Sequence, residues 1–188
     1  MSVSAALRDF VELFERLGVR YAVIGGIAVR TYGIPRPTYD VDFTIALPRG
    51  SLPELYRSVM EMGYTVPEPY TTGWVDQVAG MPVVKLRRYV ADRGVDIDLF
   101  LAECNFQQSL LERKRQIDVD GLAVWLVSPE DLILLKLLAR RKRDLADIDD
   151  ILFTQGELDE TYMRRWATNL GTLDALEQCL TAHRGDQP

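Results

Sequence analysis

The sequence predicts an α/β (α+β) fold in which helices flank a short mixed β-sheet and a helical extension follows at the C-terminus. Two observations predict it. Segments with the period of a strand alternate with segments of helical spacing through residues 1–127, whereas residues 128–188 have helical spacing alone. Apolar residues make up 47% and charged residues 27% of the 188-residue chain, an ordinary mixture for one globular unit. We therefore expect a core over residues 1–127 and a helical part, residues 128–188, packed on it.

The N-terminal segment predicts a helix, a strand, a glycine turn and a second helix. Residues 4–17 place apolar side chains at helical spacing and end at Gly18, a typical helix stop. Residues 21–24 form a short apolar run that the pair Gly25-Gly26 interrupts, and helical spacing resumes over residues 27–32.

A constrained loop and a second strand follow. The prolines within residues 34–38 push their predecessors toward extended geometry, so this segment cannot be regular helix. Polar and apolar residues alternate over residues 39–45, which predicts a strand covered on one face. Residues 52–62, closed by Gly63, have the spacing of an amphipathic helix, and Pro53 is tolerated in its first turn.

Two hairpins complete the predicted sheet, and helices follow it. Residues 83–90 and 95–101 have the character of strands joined by residues 91–94. Asp120-Gly121 is a strong hairpin signal between two further strands. Residues 128–131, Ser-Pro-Glu-Asp, supply a helix N-cap, a proline at the first helical position and a carboxylate three residues past the cap. Helical spacing then recurs in four segments: residues 132–138, 147–153, 158–170 and 173–180.

Composition and charge disfavour several classes of protein. The N-terminus lacks the pattern of a secretory signal, and no stretch approaches the ~18 apolar residues of a membrane span. We therefore expect a cytoplasmic protein with no membrane partner. A net charge of −6 argues against broad electrostatic binding to DNA or RNA, although a local basic groove is compatible with it. Cys104 and Cys179 lack CxxC spacing, which disfavours a zinc site or a disulfide framework.

Acidic residues on two predicted strands indicate a metal site. Asp40 and Asp42 flank Val41, so their side chains leave the same face of a strand, roughly 6.5 to 7 Å apart along it. Asp98 lies on a second strand, with Asp96 two residues earlier on the same face. Carboxylates gathered in this way resist ionising unless divalent cations balance their charge. A lone pair of this kind is more often two solvated acids, but the second acidic strand favours Mg²⁺ or a similar hard ion.

The pair Gly25-Gly26 predicts an anion site beside the metal site. Without side chains at a strand-to-helix junction, a phosphate can approach the backbone and the positive end of the following helix. A metal site facing an anion site suits phosphoryl chemistry, in which two metal ions ~3.5 to 4 Å apart clamp the entering and leaving oxygens. A glycine pair after a strand is by itself usually a tight turn, so the prediction depends on its position.

Three short runs of the sequence are, in chain order, VIGG at 23–26, DVDF at 40–43 and IDL at 97–99. Together they resemble the signature of the nucleotidyltransferase superfamily typified by DNA polymerase beta. The likeness covers roughly residues 20–101 and implies the nucleotidyltransferase fold. The longer phrases GGIAVRTYGIPRPTYDVDF and SPEDLILLKLLARRKRDLADIDDIL resemble bacterial stand-alone nucleotidyltransferases akin to the AbiEii toxin group, which extends the likeness to about residue 153.

This resemblance implies roles for the carboxylates and the glycines. In the superfamily, the first two carboxylates coordinate both metal ions, and the third coordinates one and acts as base toward the incoming hydroxyl. These roles map onto Asp40, Asp42 and Asp98. Asp96 adds a fourth acid on the strand of the third carboxylate and is the alternative to Asp98. The glycine pair would hold the nucleotide phosphates.

The resemblance also points to the C-terminal helices, where the toxin group uses a lysine and a later aspartate that map onto Lys136 and Asp147. Lys136 lies among leucines, so its ammonium group either assists the reaction or reaches a polar surface. Arg36 and Thr38 precede the carboxylate strand and either contact the nucleotide or lock the loop. The basic run at residues 140–143 either binds RNA or triphosphate or favours the last turn of a helix through its dipole.

Together these features predict a metal-dependent nucleotidyltransferase that uses Mg²⁺ or Mn²⁺. It would transfer a nucleoside monophosphate from a nucleoside triphosphate (NTP) to a hydroxyl acceptor and release pyrophosphate. The acceptor would be RNA, a protein side chain or a small molecule such as an aminoglycoside. The AbiEii likeness implies a toxin–antitoxin component with an antitoxin protein as partner. The contrasting hypothesis is a catalytically silent nucleotidyltransferase fold used as a binding module, and a third is a kinase.

Overall fold

The computed structural model describes residues 2–90 and 93–185, and one sheet runs through this part of the chain. Its strands are β1 (Arg20–Ile24), β2 (Asp40–Ala46), β3 (Asp76–Val78), β4 (Met81–Val90), β5 (Arg93–Leu101), β6 (Arg115–Val119) and β7 (Leu122–Leu126). The helices are α1 (Val3–Leu17), α2 (Gly25–Tyr32), α3 (Leu52–Glu61), α4 (Glu68–Thr71), α5 (Asn105–Arg113), α6 (Pro129–Ala139), α7 (Lys142–Thr154), α8 (Glu160–Asn169) and α9 (Leu173–Gly185). A 3₁₀ turn at Arg49–Ser51 precedes α3.

The sheet is mixed, with the strand order β3-β4-β5-β2-β1-β7-β6. The central strand β2 is antiparallel to β1 and parallel to β5. The predicted hairpins are present as the antiparallel pairs β4–β5 and β6–β7, although Ala91 and Asp92, in the first predicted turn, lie outside the described residues. A mixed sheet flanked by helices confirms the predicted fold class.

The junction between β1 and α2 differs from the predicted glycine turn. Helix α2 begins at Gly25, so the glycine pair forms the first turn of the helix and no separate turn precedes it. Gly25 has a φ of +64°, a left-handed conformation that would cost a residue with a Cβ about 1 kcal/mol or more. The abrupt passage from strand to helix therefore depends on a glycine at position 25.

Three elements have no counterpart among the predictions. Helix α4 has four residues and strand β3 has three, which leaves too few positions for a period to be recognised. Helix α5 buries Phe106, Leu110 and Leu111, but the rest of its sequence is polar. Tertiary contacts stabilise these elements where local pattern is weak.

The C-terminal helices meet the sheet region through α2, against which both α6 and α7 pack. Helix α6 starts as predicted, because the Ser128 hydroxyl accepts the backbone N–H of Asp131 at 3.1 Å. This packing brings the glycine pair of α2 close to the helices that carry Lys136 and Asp147. The division into a core over residues 1–127 and a helical part over 128–188 stays a prediction. Among the described residues, no helix is both long and apolar enough to span a bilayer.

Candidate active site

A cleft of about 770 Å³ is lined by β2, β4 and β5 on one side and by α2, α6 and the start of α7 on the other. This volume is typical of a small-ligand site. Eight of the nine predicted site residues line it: Gly25, Gly26, Arg36, Thr38, Asp40, Asp42, Asp98 and Lys136. The ninth, Asp147, is buried and reaches the cleft only through its bonds to Arg36 and Lys136.

Two rows of charged side chains cross three neighbouring strands in this cleft. In the inner row, Asp42 of β2 is the partner of Asp98 of β5, which in turn is the partner of Lys85 of β4. The outer row lies two residues away on each strand and consists of Asp40, Asp96 and Arg87. Because neighbouring strands are only about 4.8 Å apart, the acids within each row lie side by side.

The sequence of β2 explains why its two acids share the cleft. Val41 and Phe43 alternate with them, so these apolar side chains leave the opposite face, where both are fully buried. The ring of Phe43 packs edge-on against Phe14 of α1, with 5.1 Å between ring centroids. The apolar residues thereby hold the strand that presents Asp40 and Asp42.

Asp42 has the most unusual charge environment in the rows. Burial raises the pKa of its carboxyl group to about 7, and the charges of Asp40 and Asp98 add to the rise. The charge of Lys136 and the backbone N–H of Gly26 act in the opposite direction but do not cancel it. Asp42 is therefore an acid whose negative charge the protein does not fully balance.

Two cations of β4, which the sequence analysis did not assign, hold the two acids of β5. Lys85 Nζ donates to Asp98 Oδ2 at 3.0 Å, whereas Arg87 forms a bidentate ion pair with Asp96. The side chain of Asp98 is 21% exposed, against 45% for Asp96. Burial raises the pKa of Asp98, although Lys85 acts against the rise. The alternation Lys-Leu-Arg at residues 85–87 is the sequence signal that could have indicated these cations.

Gly25 and Gly26 make room for other side chains of the site. A Cβ at Gly25 would overlap the carboxylate of Asp42, and a Cβ at Gly26 would overlap the hydroxyl of Thr38. Their role in phosphate binding stays a prediction. The close approach of these two side chains is a second reason for glycine, which spacing in the sequence could not reveal.

The loop between α2 and β2 is held at two points. Thr38 Oγ1 donates to Asp40 Oδ1 at 2.7 Å and so orients that carboxylate. The guanidinium of Arg36 donates to both carboxylate oxygens of Asp147, at 2.8 and 2.9 Å. Of the two roles considered for Arg36, the structure shows the one that locks the loop, here onto α7.

Arg36 belongs to a second charged group, the helix ion cluster, formed by Arg36, Lys136, Asp144 and Asp147. Lys136 Nζ donates to Asp144 at 2.9 Å and to Asp147 at 2.6 Å. Burial by itself would raise the pKa of Asp147, but the hydrogen bonds from Arg36 and Lys136 outweigh it and hold that pKa below its usual value. Asp144 was missed in the sequence, although its position three residues before Asp147 places both acids on one face of α7.

The basic run at residues 140–143 does not lie in the last turn of a helix, so that alternative is wrong. Helix α6 ends at Ala139, Arg140 forms its C-cap, and Arg141 is already the N-cap of α7. The run was misjudged because the spacing of the leucines does not show where α6 ends. Arg141 and Arg143 line the cleft.

Within residues 2–90 and 93–185, no set of three Asp, Glu, His or Cys side chains is arranged as a ready metal site. Asp98 directs one oxygen to Lys85, and Asp40 directs one to Thr38. The donor chemistry nevertheless fits a hard divalent cation, because carboxylate oxygens are the ligands such ions prefer. A cation would also relieve the unbalanced charge of Asp42.

A mixed sheet that presents paired acids beside a strand–glycine–helix junction is the arrangement of the nucleotidyltransferase fold. The family comparison agrees: residues 3–172 match the family described as "Nucleotidyl transferase of unknown function (DUF2204)". The chain belongs to this family, which confirms the prediction of a nucleotidyltransferase. The narrower likeness to the AbiEii toxin group stays a prediction.

Solved structures share the fold at low sequence identity. An antigenic nucleotidyltransferase-like protein from Paracoccidioides brasiliensis is 18% identical with a TM-score of 0.54, covering 96% of this chain and 93% of its own. The antibiotic-resistance factor ANT(2'')-Ia is 15% identical with a TM-score of 0.57, covering 97% of this chain and 100% of its own. The lincosamide antibiotic adenylyltransferase LnuA, bound to lincomycin, is 16% identical with a TM-score of 0.50, covering 79% of this chain and 96% of its own. No curated protein sequence matches the chain.

Proposed function

We propose that this protein is a metal-dependent enzyme that transfers a nucleoside monophosphate from an NTP to a hydroxyl acceptor. The observation that carries the proposal is Asp42, whose pKa is raised to about 7 by burial and by two neighbouring carboxylates. A partly buried acid with unbalanced charge in a cleft is typical of a functional site. Its close approach to Gly25 supports the proposal, because a phosphate can approach a helix that begins without side chains.

The carboxylates that would hold the metal are Asp40, Asp42 and Asp98. When bound, Mg²⁺ or Mn²⁺ would supply the positive charge that stabilises the charge developing on the transferred phosphoryl group. We prefer Asp98 to Asp96 as the third ligand, because Arg87 engages both oxygens of Asp96 whereas Asp98 keeps one oxygen free of Lys85. In this proposal Thr38 orients Asp40, and the Arg36–Asp147 pair fixes the loop that carries Thr38.

The transfer step follows from these positions. The acceptor hydroxyl oxygen bonds to the α-phosphorus of the NTP, and the bond from that phosphorus to the oxygen bridging the β-phosphate breaks. The hydroxyl proton passes to Asp98, and pyrophosphate leaves with the bonding electrons. Lys85 favours the ionised form of Asp98, the form that can accept a proton. Lys136, whose charge acts on Asp42, also faces the cleft and would neutralise part of the charge of the triphosphate.

RNA, a protein side chain and a small molecule remain the acceptors to test. The likeness to LnuA, a lincosamide antibiotic adenylyltransferase, supports a small-molecule acceptor. A toxin–antitoxin role predicts that expression arrests growth, that an antitoxin protein relieves the arrest, and that the Asp42→Asn variant causes none.

The alternative is a catalytically silent fold that serves as a binding module. One observation favours it: Lys85 already occupies an oxygen of Asp98, as an ion pair that had replaced a metal would. A silent module need not bind NTP more tightly in the presence of Mg²⁺.

The decisive experiment incubates the protein with each α-labelled NTP, Mg²⁺ and three acceptor pools: total RNA, total protein, and a panel of aminoglycosides and lincosamides. Wild type and an Asp149→Asn control should label one pool, since Asp149 is an exposed acid of α7. Asp42→Asn should label none while folding normally. Equal labelling by Asp42→Asn refutes the assignment. In a parallel incubation with γ-labelled NTP, labelling by wild type from the γ-label alone identifies a kinase, and no labelling from either NTP supports the silent module.

A further inference from the structure

The basic run between α6 and α7 presents alternate residues to the cleft. Arg141 and Arg143 line the cleft, whereas Arg140 and Lys142 do not. Arg140 instead donates to the backbone oxygen of Gly171 at 3.3 Å, away from the site. A run of four cations is thus divided into two that face the cleft and two that face elsewhere.

The guanidiniums of Arg141 and Arg143, which face the cleft, have N–H donors that are not engaged in strong hydrogen bonds. Among the described residues, Arg143 has no hydrogen-bond or ion-pair partner and is exposed. Arg141 is 71% exposed, and the one acid paired with its side chain in the described part of the chain is Asp144, at the long distance of 3.7 Å. The guanidinium of Arg36, by contrast, is fully engaged with Asp147. Arg141 and Arg143 can therefore accept an anionic ligand without breaking a strong pair.

Their position in the fold sets two positive charges at a helix N-terminus whose first turn contains one acid, Asp144. Arg141 is the N-cap of α7, and Arg143 lies in the first turn. The positive end of a helix disfavours cations, each typically by about 0.3 to 1 kcal/mol. Side-chain charges that oppose the dipole of their own helix are most often found at functional sites.

We propose that Arg141 and Arg143 form the subsite for the β- and γ-phosphates of the NTP, an inference that rests on the proposed function. Helix α6, which carries Lys136, packs on α7, which begins beside Arg141 and carries Arg143, so these three cations line the helical part of the cleft together. The opposite wall, β4, has its cations already paired with acids. A polyphosphate chain with several negative charges matches two free guanidiniums, each able to donate two parallel hydrogen bonds.

The basic run supplies its own matched control. The double variant Arg141→Gln/Arg143→Gln and the double variant Arg140→Gln/Lys142→Gln remove the same charge from adjacent positions. Binding of Mg²⁺–ATP, of AMP and of inorganic tripolyphosphate is measured by calorimetry for wild type and both variants, with circular dichroism to confirm folding.

We expect the first variant to bind ATP and tripolyphosphate at least about tenfold more weakly, because it loses charge-assisted hydrogen bonds from two guanidiniums. Its affinity for AMP should change less than about twofold, since AMP lacks the β- and γ-phosphates, and the control variant should match wild type for all three ligands. The inference would be overturned if both variants lost the same affinity, if ATP and AMP lost the same affinity, or if the first variant lost none. A wild type that binds neither ATP nor tripolyphosphate would also overturn it. Intact, arginine-dependent binding without nucleotide transfer would overturn only the proposed function.

Discussion

Asp42 of the sheet and Asp147 of the helix ion cluster are both at least partly buried, yet their charges are balanced in opposite ways. Asp42 lies between two other carboxylates, and its pKa rises to about 7. Asp147 is only 1% exposed, but Arg36 and Lys136 bond to both of its oxygens, and its pKa lies below the usual value. Among the described residues, no cation forms a hydrogen bond or ion pair with Asp42, whereas two cations do so with Asp147.

This difference distinguishes the charge environment expected of a functional site, around Asp42, from that of a structural ion cluster, around Asp147. A buried ion pair whose partners match holds elements together, and removing one partner is strongly destabilising. An uncompensated buried acid costs stability, so its presence needs a reason beyond folding. The following predictions test this comparison, from the largest expected effect to the smallest.

The sharpest test of the sheet acids compares Asp98→Asn with Asp96→Asn. We expect Asp98→Asn to slow nucleotide transfer about 1000-fold, equal to about 4 kcal/mol of transition-state stabilisation, because it removes a metal ligand and the proton acceptor. Asp96→Asn should change the rate less than about threefold, since Asp96 is exposed and paired with Arg87. The measurement is kcat with α-labelled NTP, and a larger loss in Asp96→Asn would exchange the two assignments.

The helix ion cluster should respond in stability. Asp147→Ala leaves two cations without their shared partner, and we expect the free energy of unfolding to fall by about 3 kcal/mol. At roughly 2–4 °C per kcal/mol for a chain of this size, Tm should drop by about 6 to 12 °C. Asp149→Ala, an exposed acid on the same helix, serves as the control and should stay within about 0.5 kcal/mol of wild type. A Tm for Asp147→Ala within 2 °C of the control would show that the cluster does not hold the helices.

The opposite stability effect is expected at Asp42. Its pKa in the folded protein, about 7, lies above the ordinary value of 3.8, so the charged form is disfavoured by folding. The cost is absent below about pH 4 and complete above about pH 7. The full rise from 3.8 to about 7 corresponds to ~4 kcal/mol, and solvent at this partly buried side chain screens about half of it. In metal-free buffer at pH 8, Asp42→Asn should therefore be more stable than wild type by about 2 kcal/mol, and the gain should shrink toward pH 4. Denaturant unfolding at both pH values tests this, and a gain independent of pH would contradict it.

The smallest effect is expected at Thr38. Thr38→Val keeps the shape of the side chain but removes the hydrogen bond to Asp40, which is worth about 1 kcal/mol. The Mg²⁺ concentration for half-maximal transfer should rise about fivefold while kcat at saturating Mg²⁺ changes little. Thr31→Val, an exposed threonine of α2, is the matched control. An unchanged Mg²⁺ requirement would show that Thr38 does not position Asp40.

Local sequence pattern was enough to predict the order of the main elements and which face of each acidic strand carries the acids. Alternation around Val41 showed that Asp40 and Asp42 share a face, and the Ser-Pro-Glu-Asp pattern located the start of α6. These features are local, since the pleat of a strand and the cap of a helix depend on neighbours a few residues away. The family resemblance added the nucleotidyltransferase fold, which the comparisons confirm.

Which charged side chains contact one another depends instead on long-range packing, and could be seen only in the folded structure. A period of two shows the face of a strand but not its neighbour, so nothing local indicated that Asp42 lies beside Asp98 or that Lys85 lies beyond it. The same holds for Arg36 and Asp147, which are separated by 111 residues and joined by the packing of α7 on α2. Whether a buried acid is balanced depends on side chains brought from distant parts of the chain, because Coulomb energy follows distance in space and not along the sequence.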